Sequence, residues 1–413
     1  MQTSILKEIL ETREGRESDE ILRRCVHCGF CAATCPTYDL LGDELDSPRG
    51  RIYLIKQWLE GQGSAREVQL HLDRCLTCRA CETTCPSGVD YHRLADLARE
   101  RLETQTTRPL LERIMRFALG KILPHRARFR WFLRLGQWFR PLLPGSLKKK
   151  VPPRARPIRA ALAAHTQHGR TMLLLDACAQ ADAAPNTNVA ARRVMSALGV
   201  DLAVAPRAGC CGALSYHLAQ THEAEAFMKA NIDAWWPAIE AGAEALVTTA
   251  SGCGAMVEEY GKLLEHDPHY AEKARRISEL AKDLSEVLAA EDLGALGVRG
   301  EGKRVAFHPP CTLQHGQRVT GVVESILGRS GFTLTKVPDV HSCCGAAGTY
   351  SILQPVLAEQ LVQKKVAALG SDAPEVIATA NVGCELYLGG TAKLPVRHWI
   401  ELLDEARAEL DAR

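Results

Sequence analysis

The sequence predicts an α/β protein in which an α-helical, cysteine-rich amino-terminal domain precedes two repeated α/β halves. Three observations lead there. Eight of the sixteen cysteines lie between Cys25 and Cys85, in two runs joined by a helical-looking stretch, Arg51 to Gly61. The other eight form two matching sets: Cys178, Cys210, Cys211 and Cys253 recur as Cys311, Cys343, Cys344 and Cys384, at offsets of 133, 133, 133 and 131. Each set opens on an apolar, strand-like run, Met172 to Leu175 or Arg304 to Phe307. Helical patterns follow, Ala191 to Leu198 and Val319 to Leu327. Strands alternating with helices favour mostly parallel sheets, whose strand-end loops carry the sites.

The first run reads Cys25-x-x-Cys28-x-x-Cys31-x-x-x-Cys35-Pro36, and the second reads Cys75-x-x-Cys78-x-x-Cys81-x-x-x-Cys85-Pro86. This is the bacterial ferredoxin spacing for a [4Fe–4S] cluster, present twice. Three thiolates two residues apart can wrap one cube from a single loop. The fourth, carried off by proline, reaches the other cube. The expected ligand sets are therefore Cys25, Cys28, Cys31 and Cys85 for one cluster, and Cys75, Cys78, Cys81 and Cys35 for the second. A zinc ribbon uses two Cys-x-x-Cys pairs, not two complete runs of four each ending in proline. His27, between two ligands, is expected to pack beside a cluster or to hydrogen-bond. In Ser47-Pro48-Arg49-Gly50-Arg51, Ser47 and Pro48 form a helix start. Arg49 and Arg51 are expected to offset thiolate charge and raise the cluster potentials.

A length of 413 residues exceeds one ordinary core. The expected division is 1–105 for the twin-cluster domain, 106–168 for a connector, and 169–295 and 296–413 for the two repeats. Met1 to Glu20 lacks the apolar core of a signal peptide, and no apolar run reaches the ~18 residues of a spanning helix. Sixteen cysteines without a secretory signal predict a reducing compartment. The expected location is cytoplasmic, peripheral on the cytoplasmic face of the inner membrane.

Adjacent cysteines followed by glycine, with a cysteine thirty-two positions earlier and another about forty residues later, form a specific pattern. The halves resemble the cysteine-rich "CCG" domains of heterodisulfide reductase and its relatives. Joined to a twin ferredoxin module, they resemble the iron–sulfur subunits that serve glycolate, lactate and anaerobic glycerol-3-phosphate oxidation, and most of all the glycolate oxidase type. The stretches that carry this are Cys25-Val26-His27-Cys28-Gly29-Phe30-Cys31, Asp46 to Tyr53, Asn231 to Pro237 and Val396 to Glu401. The resemblance implies an electron-transfer subunit with two [4Fe–4S] clusters. Its implied partner is an FAD subunit that oxidises glycolate to glyoxylate, and its implied acceptor is a quinone. Lactate or glycerol-3-phosphate oxidation, or heterodisulfide-reductase-like catalysis, are the alternatives. No Gly-x-Gly-x-x-Gly fingerprint occurs, so no flavin is expected on this chain. The fullest CCG motif ends in Cys-x-x-Cys and supplies five thiolates. Here Ala250 and Asn381 stand where the first cysteine of that pair would be. Four candidate ligands thus remain in each half, enough for one or two further clusters, for zinc, or for metal-free thiols. His217, His308, His315 and His341 nearby are expected to be satisfied structural histidines.

Between Arg108 and Arg159 fifteen basic residues face one acid, a block of +14 that leaves −12 elsewhere in a chain of net charge +2. This hints at an acidic partner or an anionic surface. Within it, Trp131, Leu135 and Trp138 fall at helical spacing among arginines that include Arg128. Two readings stand: a stripe packed on the chain's own domains or a partner, and a helix lying in an anionic membrane interface. No nucleic-acid recognition motif accompanies the charge.

Overall fold

The computed structural model describes residues 1–154, 169–176 and 178–411. Arg156 and Arg159 of the basic block lie outside them.

The amino-terminal domain is helical. Its principal helices are Arg13–Arg24, Pro48–Leu59, Ala65–Asp73 and Tyr91–Gln105. They close on a core that includes Leu22, Ile55, Leu72, Leu94 and Leu102. Pro48–Leu59 starts as its sequence directs: Ser47 Oγ accepts from the Gly50 N–H at 3.0 Å and Pro48 occupies the first turn. A Cβ on Gly50 would sit 1.9 Å from the Glu44 carbonyl oxygen, so only glycine fits there. Ser47→Ala is expected to cost about 1 kcal/mol of stability, read from the denaturant midpoint of the anaerobic protein.

Each repeat builds a four-stranded, all-parallel sheet. In the first, β1 (Arg170–Leu174), β2 (Val200–Ala203), β3 (Leu246–Thr248) and β4 (Ala281–Asp283) take the order β2-β1-β3-β4. In the second, β5 (Arg304–His308), β6 (Thr333–Leu334), β7 (Val376–Thr379) and β8 (Val396–His398) take the order β6-β5-β7-β8. The topologies are identical, and so is the register: Leu173 pairs with Leu246 as Ala306 pairs with Ile377. The helix expected over Val319 to Leu327 begins later, at Val322–Arg329, because Gly321 takes a left-handed conformation at its start. The helix expected at Ala191 begins earlier, at Pro185, whose fixed φ suits a first turn.

The halves share one core, in which Leu174, Val194 and Val247 lie in the same cluster as Phe307, Ala378 and Trp399. The carboxy-terminal helix Trp399–Asp411 crosses back onto the first half, where Thr187 Oγ1 donates to Glu401 at 2.9 Å and His398 Nε2 meets the Thr249 carbonyl at 2.9 Å. The amino-terminal domain rests across both halves. Arg79 and His92 pair with Glu259 of the first half, and the Tyr350 hydroxyl of the second donates to the Arg74 carbonyl at 3.0 Å.

The connector forms helices Leu110–Ile122 and Arg126–Phe139. Much of its charge turns inward: Lys121 pairs with Glu223, Arg126 with Asp176 and Asp182, and Arg130 with Asp182. Arg108, almost fully buried, pairs with Asp73, Glu103 and Glu112. These acids belong to the chain itself, so this part of the block needs no acidic partner. The aromatic stripe does not pack on the chain's own domains. Trp131 is 60% exposed and Trp138 is 75% exposed, because the arginines of the same helix face the first half. Among the described residues, no helix is long and apolar enough to cross a membrane.

Candidate metal centres

The two amino-terminal cysteine loops are copies of each other fifty residues apart. Each follows the end of a helix, Arg13–Arg24 or Ala65–Asp73. Positive φ recurs at matching places: His27 (60°) and Thr77 (52°), then Gly29 (87°) and Arg79 (62°). A β-branched threonine in this region costs roughly 1–3 kcal/mol and persists only where its surroundings require it. The requirement is visible. The bend aims backbone N–H groups at sulfur, with Thr77 N donating to Cys75 Sγ at 3.4 Å and the His27 N–H to Cys25.

Two concavities result. The first is lined by Cys25, Cys28, Cys31 and Cys85, with His27, Gly29 and Arg49. The second is lined by Cys35, Cys75, Cys78 and Cys81, with Thr37, Arg51 and Tyr91. Cys81, Pro48 and Tyr91 belong to both walls. Each fourth cysteine thus lies with the opposite run. Soft thiol donors gathered in fours, with amides and a cation turned toward them, suit an iron–sulfur cube. Burial pushes the Cys31 thiol up to about 11 and raises Cys25 and Cys35, so a metal must displace protons to bind there.

The two arginines differ. Arg51 is 1% exposed, with Nη1 at 3.9 Å from Cys35 Sγ, Nε donating to the His71 carbonyl at 2.8 Å and Nη2 to Thr37 at 3.1 Å. Its counter-ion is Asp46, completely buried, which also faces His71 Nδ1 at 2.9 Å and Arg74 Nη1 at 2.8 Å. Asp46 was not singled out from sequence, although it opens the Asp46 to Tyr53 stretch. Arg49 stands at the rim of the first concavity, ion-paired with Glu44, and its guanidinium fills the space a Cβ on Gly29 would need. His27 meets Met1 Sδ through Nδ1 at 3.3 Å and stands edge-on to Tyr53.

In each repeat the four cysteines converge at the strand ends, the last of them from the first turn of a helix, Ser251–Glu258 or Val382–Gly389. Cys178, Cys210, Cys211 and Cys253 stand beside one another in that order. Cys311, Cys343, Cys344 and Cys384 follow the same order, and the last pair is hydrogen-bonded, thiol to thiol, at 3.3 Å. The N–H groups of Gly212 and Gly345 donate to Cys210 and Cys343 Sγ at 3.5 and 3.4 Å. One cluster crosses domains: Cys78 packs against the apolar group of Leu76, Cys311, Cys343 and Tyr350. The nearby histidines divide. His315 Nδ1 meets Thr83 at 2.9 Å and His217 stands 3.8 Å from Asp96. His308 departs from expectation. It is fully buried, and among the described residues neither ring nitrogen has a hydrogen-bond partner.

Comparison with known proteins agrees with this geometry. Residues 21–89 match the 4Fe-4S dicluster domain, and residues 172–258 and 305–389 match the cysteine-rich domain CCG. The glycolate oxidase iron-sulfur subunit of Escherichia coli (strain K12) is 54% identical over 406 residues, 98% of this chain and 99% of that protein. The chain belongs to the glycolate oxidase iron–sulfur subunit family. A probable member from Bacillus subtilis (strain 168) is 31% identical over 96% of both chains. The lactate utilization protein A of Geobacillus kaustophilus (strain HTA426) is 32% identical over 47% of this chain and 82% of its own. As in this family, the chain is the iron–sulfur, electron-transferring component of an oxidoreductase, carrying two [4Fe–4S] clusters in its amino-terminal domain.

Proposed function

We propose that this chain takes electrons from a partner flavin subunit that oxidises glycolate to glyoxylate and passes them to a quinone at the cytoplasmic face of the membrane. In this reading the ligand sets are Cys25, Cys28, Cys31 and Cys85, then Cys75, Cys78, Cys81 and Cys35. The cysteines of each repeat hold a further centre. The relatives' names support glycolate over lactate, because the lactate proteins match only about half of this chain.

The observation that carries the relay is the continuity of sulfur through the molecule. Cys28 is exposed at one end, flanked by exposed Val26 and Phe30. Cys81 walls both amino-terminal concavities, and Cys78 packs against the apolar cluster that holds Cys311 of the second repeat. When bound, the clusters supply one-electron states, which let the two electrons of a hydroxy-acid oxidation leave singly. The protein's part is to fix their ligands and tune their charge. Buried Arg51 holds a cation against Cys35, and the loop amides donate to sulfur. The apolar rim of Val26 and Phe30 fits a docking flavoprotein. In the test, glycolate is added anaerobically to the chain with its co-purifying flavoprotein, and reduced-cluster EPR signals are followed. Signals that appear only with both components support the reading, and glycolate that reduces flavin but never the clusters contradicts it.

The connector supports the membrane part. Leu110, Leu111, Ile114, Phe117, Trp131, Trp138 and Leu142 are all exposed, with Arg113, Arg128 and Arg134 exposed among them. Aromatic and aliphatic side chains beside unburied arginines match an interfacial helix on anionic lipid. Trp131→Ala/Trp138→Ala is expected to abolish flotation of the complex with anionic liposomes. Its stability should change by less than about 0.5 kcal/mol, since both side chains are exposed. Absence of flotation by the unaltered complex at low salt would remove the membrane from the account.

A further inference from the structure

The two repeats superpose strand for strand, which makes their differences informative. Leu173 and Ala306 occupy the same register, so Leu175 and His308 stand at the same place, where the central strand delivers its chain to the cysteine loop. Leu175 is 2% exposed and His308 is 0% exposed. One repeat thus buries an isobutyl group where the other buries an imidazole. A buried polar group left without a partner is destabilising. Among the described residues, no hydrogen-bond partner meets either nitrogen of His308. The groups in reach are sulfur: a ring nitrogen of His308, Cys344 Sγ and Cys384 Sγ all lie within 4.8 Å of one another.

The fullest CCG pattern supplies five donors, and this chain lacks the fifth cysteine in both repeats. Asn381, at that position in the second, does not take its place. Its Oδ1 accepts from the Gly383 N–H at 2.8 Å and its Nδ2 donates to Ser251 Oγ at 3.1 Å. His308 reaches the same group of sulfurs from the neighbouring strand, β5. A neutral imidazole there offers a nitrogen lone pair to a metal.

We infer that His308 is a nitrogen ligand of the second repeat's centre, completing a five-donor set with Cys311, Cys343, Cys344 and Cys384, while the first repeat, with Leu175, is held by thiolates alone. This rests on the reading that the second repeat's cysteines hold an iron–sulfur cluster. A neutral nitrogen in place of a thiolate removes one negative charge from the ligand shell, which raises the reduction potential. Lys365 acts in the same sense. It is 2% exposed and pinned by the Asp339 and Val340 carbonyls at 3.0 and 2.9 Å, on the helix that packs against the second Cys-Cys-Gly turn. The matching helix of the first repeat buries neutral Asn231, which donates to the Cys210 carbonyl at 2.8 Å. The second centre therefore sits at the higher potential, beside Cys78, where it favours electrons leaving the amino-terminal clusters.

The test uses the full chain purified anaerobically, with natural-abundance or ¹⁵N-labelled histidine, reduced stepwise and examined by pulsed EPR. One centre is expected to show a directly bonded nitrogen coupling that changes isotope with the label. The coupling should be absent in His308→Leu, which copies the first repeat, and in His308→Cys, which restores a thiolate. His308→Cys should keep its iron and titrate at a more negative potential than the unaltered chain. Cys344→Ser separates the two ways of failing. If it loses about four irons but no histidine coupling is ever seen in the unaltered chain, the ligand assignment is wrong and the cluster stands. If it leaves iron and sulfide unchanged, the second repeat holds no cluster and both ideas fall.

Discussion

Cys85→Ser is expected to remove the cluster held by the first loop and to spare the one held by the second. The prediction inverts what position along the chain suggests, because Cys85 closes the second run in sequence. In space it lines the concavity of Cys25, Cys28 and Cys31. Cys35 lies reciprocally with Cys75, Cys78 and Cys81. Loss of an outer-shell partner typically lowers metal affinity by about 10–100-fold. Loss of a direct thiolate at a four-thiolate site should exceed that and leave the first site empty or degraded. About four irons of the amino-terminal eight should be missing. The cluster beside Arg51 should stay reducible, seen as one isolated EPR signal in place of two interacting ones. Cys35→Ser should give the mirror result. If Cys85→Ser abolished the second loop's signal and kept the first, each run would hold its own cube.

The second large effect concerns Asp46→Ala. Asp46 is buried, accepts from Arg51, His71 and Arg74, and stands under the cysteine loop through its carbonyl, which lies 3.8 Å from Cys35 Sγ. Removing one member of a buried ion pair costs about 3–5 kcal/mol, because the other charge is left uncompensated. Arg51, 1% exposed, has no route to water. Asp46→Ala should therefore lower the stability of the anaerobic chain by about 3–5 kcal/mol in denaturant unfolding. Asp46→Asn should cost less, since it keeps an acceptor for His71 or Arg74. Arg49→Ala, at the exposed pair with Glu44, should change stability by no more than about 1 kcal/mol. A near-neutral Asp46→Ala would mean that this buried network is not what anchors the second loop.

How much of this was legible in the sequence depends on whether the information is local. The cysteine loops were legible because ligand spacing and positive-φ turns are set within ten residues. The repeats were legible because their cysteine offsets persist through helices of unequal length. Helix starts shifted where a glycine or proline took the first turn, as at Gly321 and Pro185. What sequence could not show is which charges meet. Asp46 finds His71 twenty-five residues away, and Lys121 finds Glu223 across 102 positions. The packing of Cys78 against the cluster of Cys311 spans two domains and exists only because the amino-terminal domain rests on both halves. The outward face of Trp131 and Trp138 follows from the same kind of pairing, since arginines drawn to Asp176 and Asp182 turn the aromatics away.

The most direct measurement is iron, acid-labile sulfide and zinc analysis of the anaerobically purified chain, combined with EPR after reduction. The account predicts at least about eight irons and eight sulfides per chain, negligible zinc, and a spectrum broadened by interaction between two neighbouring [4Fe–4S] clusters. Stoichiometric zinc without labile sulfide, or a single non-interacting cluster, would contradict it.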